Sequence, residues 1–151
     1  MNIKPHFGFG RVKFGLSEKE VTKMLGKPSI RESELELGEP EDITMEYEAH
    51  GVDLTFSADD DFKLGAMTFY GNSHELFGMN FIGIGETKLL KYAKQTGIHD
   101  LVLDEDSEEP LDKNYTSDAF GLLFWIQEGI VDSISILPEY AENGNDIIWP
   151  A

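Results

Sequence analysis

Between residues 43 and 70 the chain alternates apolar and polar positions with a period of two. Ile43, Met45 and Tyr47 come first. Val52, Leu54, Phe56 and Ala58 follow, separated by Asp53, Thr55 and Ser57, and after the turn Asp59-Asp60-Asp61 a third run from Leu64 to Tyr70 contains Met67 and Phe69. Successive side chains of a strand point to opposite faces, so the pattern predicts three strands with one buried face. Their short connections demand antiparallel pairing. A second series is weak around Tyr115, clear at Phe120, Leu122, Phe124 and Ile126, and resumes over residues 130–137 after Glu128-Gly129.

Ahead of each series the period lengthens to that of a helix. Ser17 can cap the Glu20 amide while the Glu20 side chain reaches back, and Leu16 can staple onto Val21. Val21, Met24 and Leu25 then make one apolar face, and Gly26 with Pro28 ends the helix. The second helix repeats this with Ile84 and Leu89 as the staple pair, Gly85 as the cap and Gly97 as the terminator.

Sliding the chain against itself by 68 residues places His6 on His74, Phe9 on Phe77, Gly15 on Gly83, Glu18 on Glu86, Lys23 on Lys91, Tyr47 on Tyr115, Leu54 on Leu122 and Phe56 on Phe124. At an offset of 67, Met67 and Phe69 meet Ile134 and Ile136. A repeat of this kind decides the fold before any single element does. The expectation is an α+β chain of two tandem helix-plus-antiparallel-sheet repeats, residues 6–70 and 74–137, with a C-terminal tail at 138–151, packed as one compact unit.

A tandem pair of such units, each opened by a glycine and a short capped helix, resembles the fold of the β-lactamase inhibitory proteins. The run from Phe14 to Pro28 is also similar to the opening of small outer-membrane-assembly lipoproteins that carry one unit. The chain lacks the disulfides of the secreted inhibitor and a lipobox cysteine, having no cysteine at all. The resemblance implies a sheet used as a binding surface and carries no functional residue with it.

Charge narrows the classes of function. The 151 residues include 29 acidic and 12 basic ones, a formal net charge of −17. Nucleic acids and anionic membranes call for a basic surface, so neither is an expected partner; a basic protein is. The N-terminus has no apolar stretch of the signal-peptide kind, and no run approaches a spanning helix, so a cytoplasmic location is expected. Fifteen of the acids fall in residues 31–48 and 99–116, between helix and strands. Glu39, Glu41 and Asp42 in the first segment, and Asp104, Glu105 and Asp106 in the second, are candidate acidic lips that would steer a basic partner. Solvated loops would give the same composition.

Motifs for catalysis are lacking. Gly8-Phe9-Gly10 and Gly83-Ile84-Gly85 do not extend to a nucleotide-binding loop, and there is no nucleophile elbow. The acidic runs do not have the ligand spacing of a calcium-binding EF-hand loop. His6 and His74 could meet between the units and hold zinc, although short metal-ligand spacings are absent. No catalytic group, metal or cofactor is expected. On the strand through Phe124, Leu123 and Trp125 point away from the helix side, where Trp125 suits an aromatic anchor unless Ile147-Ile148-Trp149 folds over it. The expected function is a non-enzymatic inhibitor, similar in profile to the small acidic bacterial immunity proteins that neutralise a basic toxin such as a nuclease. The alternative is a small-ligand or metal-binding module with a cleft between the repeats, and a hydrolase assembled from distant residues ranks behind both.

Overall fold

The chain opens with three short strands, β1 (Asn2–Lys4), β2 (Gly8–Phe9) and β3 (Val12–Lys13), in the computed structural model, which describes residues 1–36, 39–104 and 112–151. Helix α1 (Glu18–Leu25) follows, then β4 (Ile30–Glu36), β5 (Glu39–Tyr47), β6 (Val52–Ser57), β7 (Lys63–Tyr70) and the short β8 (Glu75–Leu76). After α2 (Glu86–Thr96) come β9 (Val102–Asp104), β10 (Asp112–Ser117), β11 (Leu122–Gln127) and β12 (Ile130–Ile136), and a hairpin of β13 (Glu139–Tyr140) and β14 (Ile147–Ile148) ends the chain. The fold is α+β, with two helices and mostly antiparallel strands.

Eight strands form one sheet in the order β4-β5-β6-β7-β12-β11-β10-β9, every neighbour antiparallel. Its centre is the β7–β12 ladder, in which Met67 faces Ile136 and Phe69 faces Ile134. A second sheet, β3-β2-β1-β8, is antiparallel except where β1 runs parallel to β8. It lies on the same side as the helices: Ile3, Phe9 and Val12 share a core with Val21, Leu89 and Ala93 of the helices and with Leu54, Phe56, Phe69, Phe124 and Ile136 of the large sheet. The Phe9 ring meets Phe69 edge-on at 5.6 Å.

Polar clasps fix each helix on this face. Ser17 and Glu20 form the expected capping box. The Nε and Nη2 of Arg31 donate to the Glu18 carboxylate, at 2.7 and 3.1 Å, and Tyr47 donates its hydroxyl to the Gly26 carbonyl at the other end of α1. On α2, Glu86 accepts from Tyr115 and pairs with Lys113 at 2.9 Å. Burial, and then the Glu86 carboxylate, push the Tyr115 hydroxyl up to about 12, so it remains a donor. Gly97 ends α2 in the left-handed region, as its position predicts.

Four expectations need correction. Residues 30–36 are not a loop but strand β4, paired with a β5 that begins at Glu39, ahead of the expected start at Ile43; with β9 added in the second half, each half of the large sheet has four strands rather than three. Met24 leaves the expected apolar face and is 48% exposed. Ala58 and Phe120 fall in turns rather than strands, and the Phe120 ring instead meets Phe77 edge-on at 5.2 Å. The constant offset also fails in the strands. Leu54 pairs with Met67 but Leu122 pairs with Ile136, so if Met67 is matched to Ile134, the match of Leu54 is Phe124. The two-residue slip preserves the face, which is what the alternation reports.

His6 and His74 do not share a site. The Nε2 of His74 lies 3.0 Å from the Gly51 carbonyl oxygen, in the turn between β5 and β6. That of His6 lies 2.9 Å from Ala119, in the turn between β10 and β11. A carbonyl only accepts, so each ring donates from Nε2, and each Nδ1 is buried without a hydrogen-bond partner among the described residues. Gly51 permits this approach: at φ 61 a Cβ would come within 2.5 Å of the Tyr70 carbonyl and 2.9 Å of the His74 ring.

Candidate functional site: the uncovered sheet face

With helices and small sheet on one side, the pleat consigns the alternate residues of the large sheet to the other. One row crosses all eight strands: Ile30, Glu46, Asp53, Thr68, Ser135, Leu123, Thr116 and Val102, each paired with the next. A neighbouring row runs Tyr70, Ser133, Trp125, Asn114 and Asp104. The face is therefore hydroxyl-rich at its centre, acidic on the β4–β6 side and aromatic on the β11 side. Among the described strand residues of this face the basic one is Lys63, at the start of β7, whose ammonium sits 5.4 Å over the Trp149 ring.

Trp125 is 36% exposed and held in place. Its indole Nε1 donates to the Ser135 hydroxyl at 2.8 Å, which in turn lies 2.8 Å from the Thr68 hydroxyl. With Gln127, Asp132 and Ser133 these residues line a recess of about 420 Å³ beside the ring. The terminal hairpin does not cover it. Tyr140 lines, with Leu123 and Thr116, a different cleft at the end of the sheet, and the Trp149 ring lies against Gly15.

Asp53 is the electrostatic counterpart. It stands directly across from Glu46, and one of its carboxylate oxygens, Oδ1, is buried without a hydrogen bond among the described residues. Burial, and then the Glu46 charge, raise its pKa, and only the Tyr70 hydroxyl opposes them. Like charges facing each other across a ladder destabilise it, and an incoming cation would relieve both the repulsion and the unmade hydrogen bond.

The sequence candidates divide. Trp125, Leu123 and Asp104 are brought onto the uncovered face, Trp125 and Asp104 in one row with Asn114 between them. Asp42 has the same parity, and its Oδ1 accepts from the Ala58 amide at 3.0 Å, so it also caps a turn. Glu41 has the opposite parity and is half-buried, and Glu39 begins β5. Glu105 and Asp106 lie outside the described residues. Asp53, Glu46 and Tyr70 were missed, although Asp53 had a signal: a carboxylate inside an alternating run, on the polar parity.

Charge is also layered through the molecule. Lys4, Arg11, Lys13, Lys19, Lys23, Lys27, Lys88, Lys91 and Lys94, nine of the twelve basic residues, belong to the small sheet and the two helices or their immediate ends. Among the described residues no group of three or more histidine or carboxylate side chains is placed to hold a metal ion, and no helix is long and apolar enough to cross a membrane. Comparison of the chain with protein-family models, with curated proteins and with solved structures finds no match.

Proposed function

We propose that the chain is a non-enzymatic binding protein built as two repeats in the manner of the β-lactamase inhibitory proteins, and that its uncovered sheet face captures and neutralises a basic protein, as an acidic immunity protein does a toxin such as a nuclease. The observation that carries this reading is the pairing, on one face, of a fixed, exposed indole with a carboxylate pair that is short of hydrogen bonds and cations. An aromatic anchor held by its own hydrogen bond enters a complex with little ordering cost, and complementary charge selects the partner and speeds encounter. The test is capture of basic proteins from a lysate at low salt, followed by kinetics on the captured partner. Trp125→Ala should raise the dissociation rate by about tenfold or more. Neutralising Glu46 and Asp53 together should slow association instead. Retention of no basic protein, or a Trp125→Ala variant that dissociates like the parent, would remove the proposal.

A further inference from the structure

On the opposite side of the molecule, α1 and the β2–β3 hairpin enclose a groove of about 730 Å³. Its walls are apolar: Phe9 and Val12 are buried at its base, and Met24 and Leu25 close it from the helix. Met24 is the residue that departs from the expected helix face, and nothing in the described fold covers it. The rim is cationic. Arg11 and Lys23 are exposed at its mouth, neither joined to a carboxylate among the described residues, and His50 adds an imidazole. The one acid of the groove, Glu20, already accepts from the Ser17 amide in the capping box.

In a chain of net charge −17 an unneutralised pair of cations beside an apolar groove is not a solubility feature, since the surrounding excess of acids supplies that. We infer that this groove binds a small amphipathic carboxylate, with the carboxylate on Arg11 and Lys23 and the hydrocarbon body along Phe9, Val12 and Met24. The volume lies within the range of small-molecule sites, and a few polar groups over apolar walls is their usual chemistry. A guanidinium takes a carboxylate in two parallel hydrogen bonds, which fixes the orientation of the ligand in the groove.

Octanoate, octan-1-ol and acetate separate the contributions. Titration calorimetry should show one saturable site for octanoate, with the alcohol and acetate each weaker by about tenfold or more. The double substitution Arg11→Gln, Lys23→Gln should weaken octanoate by about tenfold and leave octan-1-ol unchanged. Amide chemical shifts should move in α1 and the β2–β3 hairpin, and the same spectrum reports that the variant is folded. Equal affinity for acid and alcohol, an unaffected variant, shifts confined to the uncovered face of the large sheet, or no saturation would each overturn the assignment. The sheet-face proposal shares no residue with this groove, so either can fail alone.

Discussion

Asp53 holds a charge where the fold gives it little support. Because its pKa is raised in the folded chain, the ionised form is disfavoured there, and ionisation lowers stability as pH rises from the ordinary carboxylate range through the raised value. Replacing the carboxylate by an isosteric amide removes the repulsion with Glu46 and the desolvated charge. Asp53→Asn should therefore gain about 1 kcal/mol in urea unfolding near neutral pH while weakening capture of a basic partner. A loss of stability would show that the carboxylate has a structural role instead. His74 has the opposite sign. Burial, and behind it the positive N-terminus, lower its pKa although the Gly51 carbonyl favours the protonated ring. Below about 6.5 the unfolded chain thus takes up a proton that the folded one refuses, and stability falls as pH falls through that range. Titrating carboxylates shift stability over part of the same range, so the diagnostic quantity is a difference. The loss between pH 7.5 and pH 5.5, measured by urea unfolding, should be smaller for His74→Gln than for the parent, and an equal loss would count against a buried neutral ring.

Among elements, burial dictates the residue type in some and not in others. The alternation of Val52, Leu54 and Phe56 and the capping box at Ser17 and Glu20 were legible, because each is a local consequence of its element. Strand β4 was not. Ile30, Arg31, Glu32 and Ser33 lie on an edge with one face uncovered, so no apolar period marks them, and their acids passed for a loop. The small sheet was missed because strands of two or three residues are too short to show a period. Trp125 was legible as an aromatic on the outward parity of an otherwise buried strand. Its neighbours were not, since Asp53 against Glu46 and Asn114 between Trp125 and Asp104 arise from cross-strand register, which the alternation along one strand does not specify.

At the scale of the molecule, the cationic helix layer and the anionic sheet layer give the protein a permanent dipole across its thickness. A basic partner is turned toward the sheet before contact and repelled from the helices. Raising the salt from about 50 to about 500 mM should slow association by about tenfold or more and change dissociation little. A salt-independent association rate, measured by stopped flow, would place the contact away from this face. The sheet does not close on itself, and this has a consequence for solubility. Its outer strands, β4 and β9, offer backbone amides and carbonyls that a second copy could extend into a continuous ribbon. Strand β9 is three residues long, and β4 exposes the carboxylate of Glu32, so two copies meeting edge to edge along β4 would set like charge against like charge. The same surplus of negative charge that would recruit a partner also keeps the unpartnered molecule from growing into a fibre.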